Sequence, residues 1–119
     1  FTNVKRHGAL LAKGRMLGIQ FDTLFTDELY FKISRHAIAM ATRIRSIFEK
    51  HGIIIAYDSP TNQQFVVLSP ALYEALSQKV AFEIWERKSE HEIICRFVTS
   101  WATKEEELNE LDRILQAYA

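Results

Sequence analysis

With 119 residues, nearly half of them apolar, the chain is long enough for one domain with a real core and too short for two. Fifteen basic residues balance fifteen acidic ones, so no overall field draws in nucleic acid or an anionic membrane surface, and neither is expected as a partner. The single cysteine, Cys95, excludes an internal disulfide framework and a cysteine-only metal cluster, and it suits a reducing compartment, with the cytoplasm as the default.

No apolar run approaches the length of a membrane span, and no signal peptide with its cleavage site opens the chain. The start, Phe1-Thr2-Asn3, lacks a methionine, as expected of a piece of a longer protein. From Gly8 to Phe25, Leu10, Leu11, Met16, Leu17, Ile19, Phe21, Leu24 and Phe25 surround nearly every side of a helical wheel. Such a helix needs cover on several faces. Lys13, Arg15, Gln20 and Asp22 interrupt it, and Gly8, Gly14 and Gly18 admit a close neighbouring backbone. One small domain cannot supply all that cover, so residues 1–25 are expected to form an interface helix buried against another body, and residues 26–119 the small domain proper.

The second helix is a clearer case. Leu29, Ile33, Ala37, Met40, Ile44 and Ile47 recur at spacings of three and four, while Lys32, Arg43, Glu49 and Lys50 take the other side. Thr26 or Asp27 is expected to cap its start, and Gly52 is its stop signal. Ile53–Tyr57 and Gln64–Leu68 then read as antiparallel strands around the turn formers Asp58-Ser59-Pro60-Thr61-Asn62. Ser69-Pro70 opens a short helix, residues 71–79, with Leu72, Ala75 and Leu76 inward. Residues 81–86 and 92–98 read as two more strands about the turn Lys88-Ser89-Glu90-His91. Last, Thr103-Lys104-Glu105-Glu106 reads as a capping box, before a helix that turns Leu108, Leu111, Leu115 and Tyr118 inward. This order predicts an α+β fold, a mainly antiparallel sheet of about four strands with helices on one face.

Within the last strand, Ile93-Ile94-Cys95-Arg96-Phe97-Val98, Arg96 is the most informative residue. A guanidinium keeps its charge inside a protein, so a core-facing strand tolerates it only beside a carboxylate, a phosphate or a water-filled cleft. An intramolecular ion pair and a ligand both satisfy that requirement. Cys95 points to the opposite face and is expected in the core. Asn62 is read as stabilising its own turn, and Trp101 as a packing aromatic. His7, His36, His51 and His91 are scattered, which predicts no metal site, and no phosphate loop, paired-histidine helix or nucleophile elbow occurs. No catalytic residue is identified in this chain.

Three strings, in order, are more specific. Gly8-Ala9-Leu10-Leu11-Ala12-Lys13-Gly14-Arg15-Met16-Leu17-Gly18-Ile19-Gln20-Phe21, then Ser59-Pro60-Thr61-Asn62-Gln63, then Arg96-Phe97-Val98-Thr99-Ser100-Trp101-Ala102-Thr103 resemble segments of bacterial low-specificity L-threonine aldolases. These belong with the β-eliminating lyases among the fold-type I enzymes that use pyridoxal 5'-phosphate. The resemblance runs over almost the whole chain and covers only the C-terminal third of such an enzyme.

The resemblance implies a C-terminal small domain that closes over the active site of a larger, doubly wound cofactor domain. The lysine that binds the cofactor covalently is then expected upstream of Phe1. By similarity, Lys13, Arg6 and Arg15 are assigned to a basic cluster near the cofactor phosphate, the plain alternative being that Lys13 and Arg15 reach out to solvent or pair with an acidic residue. Arg96 matches the arginine that clamps the substrate's α-carboxylate, for which a planar fork of donors is suited. The implied activity is cleavage of threonine to glycine and acetaldehyde, in a cytoplasmic homodimer or homotetramer. A β-eliminating lyase of the same fold, or a non-catalytic module binding a small carboxylate, remain as alternatives.

Overall fold

The helix with the clearest periodicity is also the longest. In a computed structural model describing residues 1–118, α3 spans Leu29–Lys50 and buries Ala37, Met40, Ala41, Ile44, Ile47 and Phe48. Its end at Gly52 follows from backbone chemistry. Gly52 takes a left-handed φ of 71°. There its amide donates to Glu49 O at 3.0 Å, and the Ile53 amide to Phe48 O at 2.9 Å. Those are the two bonds of a Schellman stop, and only glycine enters that conformation without a Cβ penalty.

The chain divides into two compact units, Phe1–Lys32 and Ile33 onward. In the first, helices α1 (Thr2–Arg6) and α2 (Gly14–Phe25) replace the single helix expected from Gly8. The reason is Gly8 itself, whose φ of 65° repeats the Gly52 geometry. Its amide meets Lys5 O and the Ala9 amide meets Val4 O, both at 3.0 Å. Gly8 therefore ends one helix instead of starting another. No residue of either helix is buried within the unit. The expected cap is also absent, because the Thr26 hydroxyl donates back to Asp22 O at 2.6 Å. Asp27 and Glu28 both adopt positive φ, 51° and 58°, in the turn before α3, a conformation costly for residues with a Cβ. Leu29, expected inward, is exposed.

In the second unit, β1 (Ile54–Tyr57), β2 (Gln63–Leu68), β3 (Glu83–Arg87) and β4 (Ile93–Val98) form one antiparallel sheet in the order β1-β2-β4-β3. Helix α4, Pro70–Ser77, starts as expected from Ser69, whose hydroxyl accepts from the Leu72 amide at 3.3 Å. Helix α5, Glu105–Gln116, starts one residue later than the capping box predicted. Glu107, not Glu106, accepts from the Lys104 amide at 2.9 Å, because the Thr103 hydroxyl is taken by the Ser100 amide, also at 2.9 Å.

One face of the sheet carries the core. Val66, Leu68, Ile93, Cys95 and Phe97 meet Met40, Ile44, Ile47 and Phe48 of α3, Leu76 of α4, and Leu108, Leu111, Ile114 and Leu115 of α5. Phe97 is held between Phe48, edge-on at 4.8 Å, and Phe82, stacked at 4.6 Å. Such aromatic pairing adds to what burial alone contributes. Burial pushes the Cys95 thiol up to about 11, so it is a core group and an inert one. Tyr118 and Trp101, read as packing residues, are exposed instead.

Candidate functional site

Alternation along β4 sends Cys95 into the core and Arg96 to the other face. This is the division expected of the two residues: Cys95 lies in the core, and Arg96, on the opposite face, has a side chain that is 26% exposed. Around it, register does the positioning. Phe65 lies across from Arg96 on β2, and Glu83 lies across from it on β3. Next to Glu83, a register irregularity between Ile84 and Glu86 includes Trp85. Phe65 stands edge-on to Trp85 at 5.2 Å and to Tyr57 at 5.6 Å.

The guanidinium has three neighbours of different kinds. Its carbon lies 5.4 Å from the centre of the Trp85 ring, a cation–π arrangement. Nη1 donates to Gln63 Oε1 at 3.2 Å, and Nη2 donates to the Glu83 carboxylate. Nε is buried and has no partner among the described residues. With five N–H donors and two assigned, one hydrogen remains on each of Nη1 and Nη2. A carboxylate accepts two parallel bonds from such a fork. Both readings left open by the sequence thus have substance: an internal ion pair exists, and it does not exhaust the donors.

Aromatic side chains make the rest of this face. Tyr57 donates to Glu86 at 3.3 Å, and partial burial, then that carboxylate, raises its phenol. Gln63 is one residue beyond Asn62. That asparagine ties the turn to the end of β4 instead of stabilising itself, through Nδ2 to Thr99 O at 2.7 Å. Neither Gln63, Trp85 nor Glu83 was singled out in the sequence. Gln63 closes the second of the three resembling strings, and for Trp85 and Glu83 the signal is strand register, which a single sequence specifies poorly.

The other candidate residues lie in the first unit. Arg6 ends α1, Lys13 immediately precedes α2 and Arg15 sits in its first turn. All three are exposed, and none forms an ion pair among the described residues. Lys13 does not interrupt a helix, as the sequence led one to expect, but precedes one. Two positive side chains at the positive end of a helix dipole are unfavourable for the chain alone and suited to an anion.

Elsewhere the polar clusters are closed on themselves. Asp112 accepts from Lys50 at 2.7 Å and from His51 at 2.6 Å, which together hold its carboxyl below the ordinary value. Arg43 is bound by Glu105 and Asn109, and Arg45 by Glu49 and Asp58. No group of three or more potential metal ligands occurs among the described residues. A hollow of about 590 Å³ lies beside α5 over Ile44, Phe97 and Leu111. Its floor is apolar and its rim carries Lys79, Glu106 and Glu110, with no buried polar group among the described residues left without a partner there, whereas Arg96 Nε is one. No helix among the described residues is long and apolar enough to cross a membrane.

The chain matches no model of a known protein family and no curated protein. Among solved structures it is similar to the threonine aldolase of Leishmania major, with 35% sequence identity and a TM-score of 0.88. That match covers 97% of this chain and 34% of the other, so the chain spans about a third of the solved enzyme's length. The chain therefore has the α+β fold of one third of a threonine aldolase.

Proposed function

We propose that this chain is the C-terminal domain of a pyridoxal-phosphate-dependent lyase, a threonine aldolase that cleaves threonine to glycine and acetaldehyde. The observation that carries the reading is the Arg96 guanidinium, fixed on a central strand with donors left over for a carboxylate. The likeness to the Leishmania major enzyme over 97% of the chain supports it. Arg96 binds the α-carboxylate of the amino acid by two parallel bonds and thereby fixes rotation about the α-carbon. Trp85 and Gln63 keep the guanidinium from turning.

Lys13 and Arg15, exposed cations flanking the start of α2, and Arg6 at the end of α1, also exposed, suit the cofactor's phosphate, none having an ion-pair partner among the described residues. Pyridoxal 5'-phosphate, when bound, supplies an electron sink for the broken bond. The lysine that holds the cofactor belongs to a large domain of the same protein, and the whole assembles as a homodimer or homotetramer.

The test uses the full-length protein with cofactor, followed by visible absorbance and by acetaldehyde release on adding L-threonine. Absorbance with acetaldehyde is the expected result. Absorbance without acetaldehyde would move the reading to a β-eliminating lyase, and no absorbance in a folded protein would remove both. Arg96→Ala should raise KM by the equivalent of ~2–5 kcal/mol and lower turnover, because anchoring and alignment go together.

A further inference from the structure

The Glu83 carboxylate already stands against Arg96 Nη2, where an amino-acid carboxylate would also bond. Of the groups touching the guanidinium, Trp85 and Gln63 are neutral, and Glu83 is the anion. Glu83 is also poorly restrained. Its side chain is 69% exposed, and it projects from β3, an edge strand exposed along its whole length. The nearby Glu86 is turned to the Tyr57 hydroxyl at 3.3 Å. The local field of Arg96 is thus cancelled by one movable carboxylate.

We propose that Glu83 is an internal competitor for Arg96, which sets how tightly the site holds the carboxylate of an amino acid. This inference rests on Arg96 being the carboxylate clamp. An incoming carboxylate must displace Glu83 from Nη2 or share the guanidinium with it. In the first case it loses the existing ion pair, and in the second it meets a like charge. Both reduce affinity by the modest amount that a half-exposed pair is worth. The competition acts equally on bound substrate and on the transition state, so it falls on KM and leaves kcat unchanged.

The experiment compares wild type, Glu83→Gln and Arg96→Ala of the full-length holoenzyme by calorimetric titration with glycine and with glycinamide, alongside kcat and KM. Glutamine keeps the size of an exposed edge residue, so folding is preserved. Glu83→Gln should tighten glycine roughly two- to fivefold, lower KM by the same factor and leave kcat and glycinamide binding unchanged. A purely structural role for Glu83 would move both ligands together. Unchanged or weaker glycine binding in Glu83→Gln, with Arg96→Ala weakening it as expected, would overturn the competitor and leave the clamp standing. Glycine binding indifferent to Arg96→Ala would remove the clamp, and the competitor with it.

Discussion

The two faces of one sheet obey different rules. On the helix side, Val66, Leu68, Cys95 and Phe97 are buried in one apolar cluster with residues of three helices. On the other side, Tyr57, Phe65 and Trp85 make an aromatic row beside the Arg96 guanidinium and its Glu83 partner. Adjacent residues of β4, Cys95 and Arg96, serve the two faces in turn. The difference teaches that the core face carries the stability, which leaves the open face able to hold a charge whose donors are not all used.

That division is breakable by mutation. Phe48→Ala removes a fully buried ring that packs against Phe97, and it should cost about 3–5 kcal/mol in urea denaturation. A loss well under that would mean that the helices are held by something other than this core. Thr99→Val should cost about 1–2 kcal/mol, because the buried Thr99 hydroxyl donates to Ala37 O at 2.7 Å and ties the end of β4 to α3. Arg96→Leu belongs to the other face and should change stability by less than about 1 kcal/mol, as its pair with Glu83 is partly exposed. An unfolded Arg96→Leu protein would erase the distinction between the faces.

The smallest effect concerns pH. Lys50 and His51 hold Asp112 below its usual value of 3.8, so its contribution to stability is complete above that value and fades as pH falls through the lower, folded-state value. Wild type should therefore lose more stability than Asp112→Asn between about pH 5 and pH 3. Parallel acid profiles for the two would show that this junction of α3 and α5 is electrostatically idle.

Much of the fold was legible because its signals are local. The periodicity of α3, the Ser69 start of α4 and the four strands need only neighbours in sequence to be read. Gly8 and Gly52 show the limit. Both make the same helix stop, yet only Gly52 follows a helix with a visible stripe, while α1 is five residues long and leaves no periodic trace. Thr103 and Lys104 show another, since a hydroxyl recruited by Ser100 shifts the start of α5 by one position. At the site, Arg96 was conspicuous as a charge in an apolar strand. Gln63, Glu83 and Trp85 were not, because they reach it from two other strands, one of which, β3, pairs with β4 through a register irregularity.

Strand order has a last consequence. Arg96 stands on β4, an interior strand hydrogen-bonded on both sides, whereas Glu83 and Trp85 belong to the outermost strand, β3. Substitutions at a sheet margin disturb one ladder and no core, so natural variation is tolerated there more readily than in the middle. The guanidinium is anchored where the architecture resists drift, and its surroundings are placed where drift is cheap. Descendants of this sequence can retune ligand preference by rewriting β3 while inheriting the anchor intact.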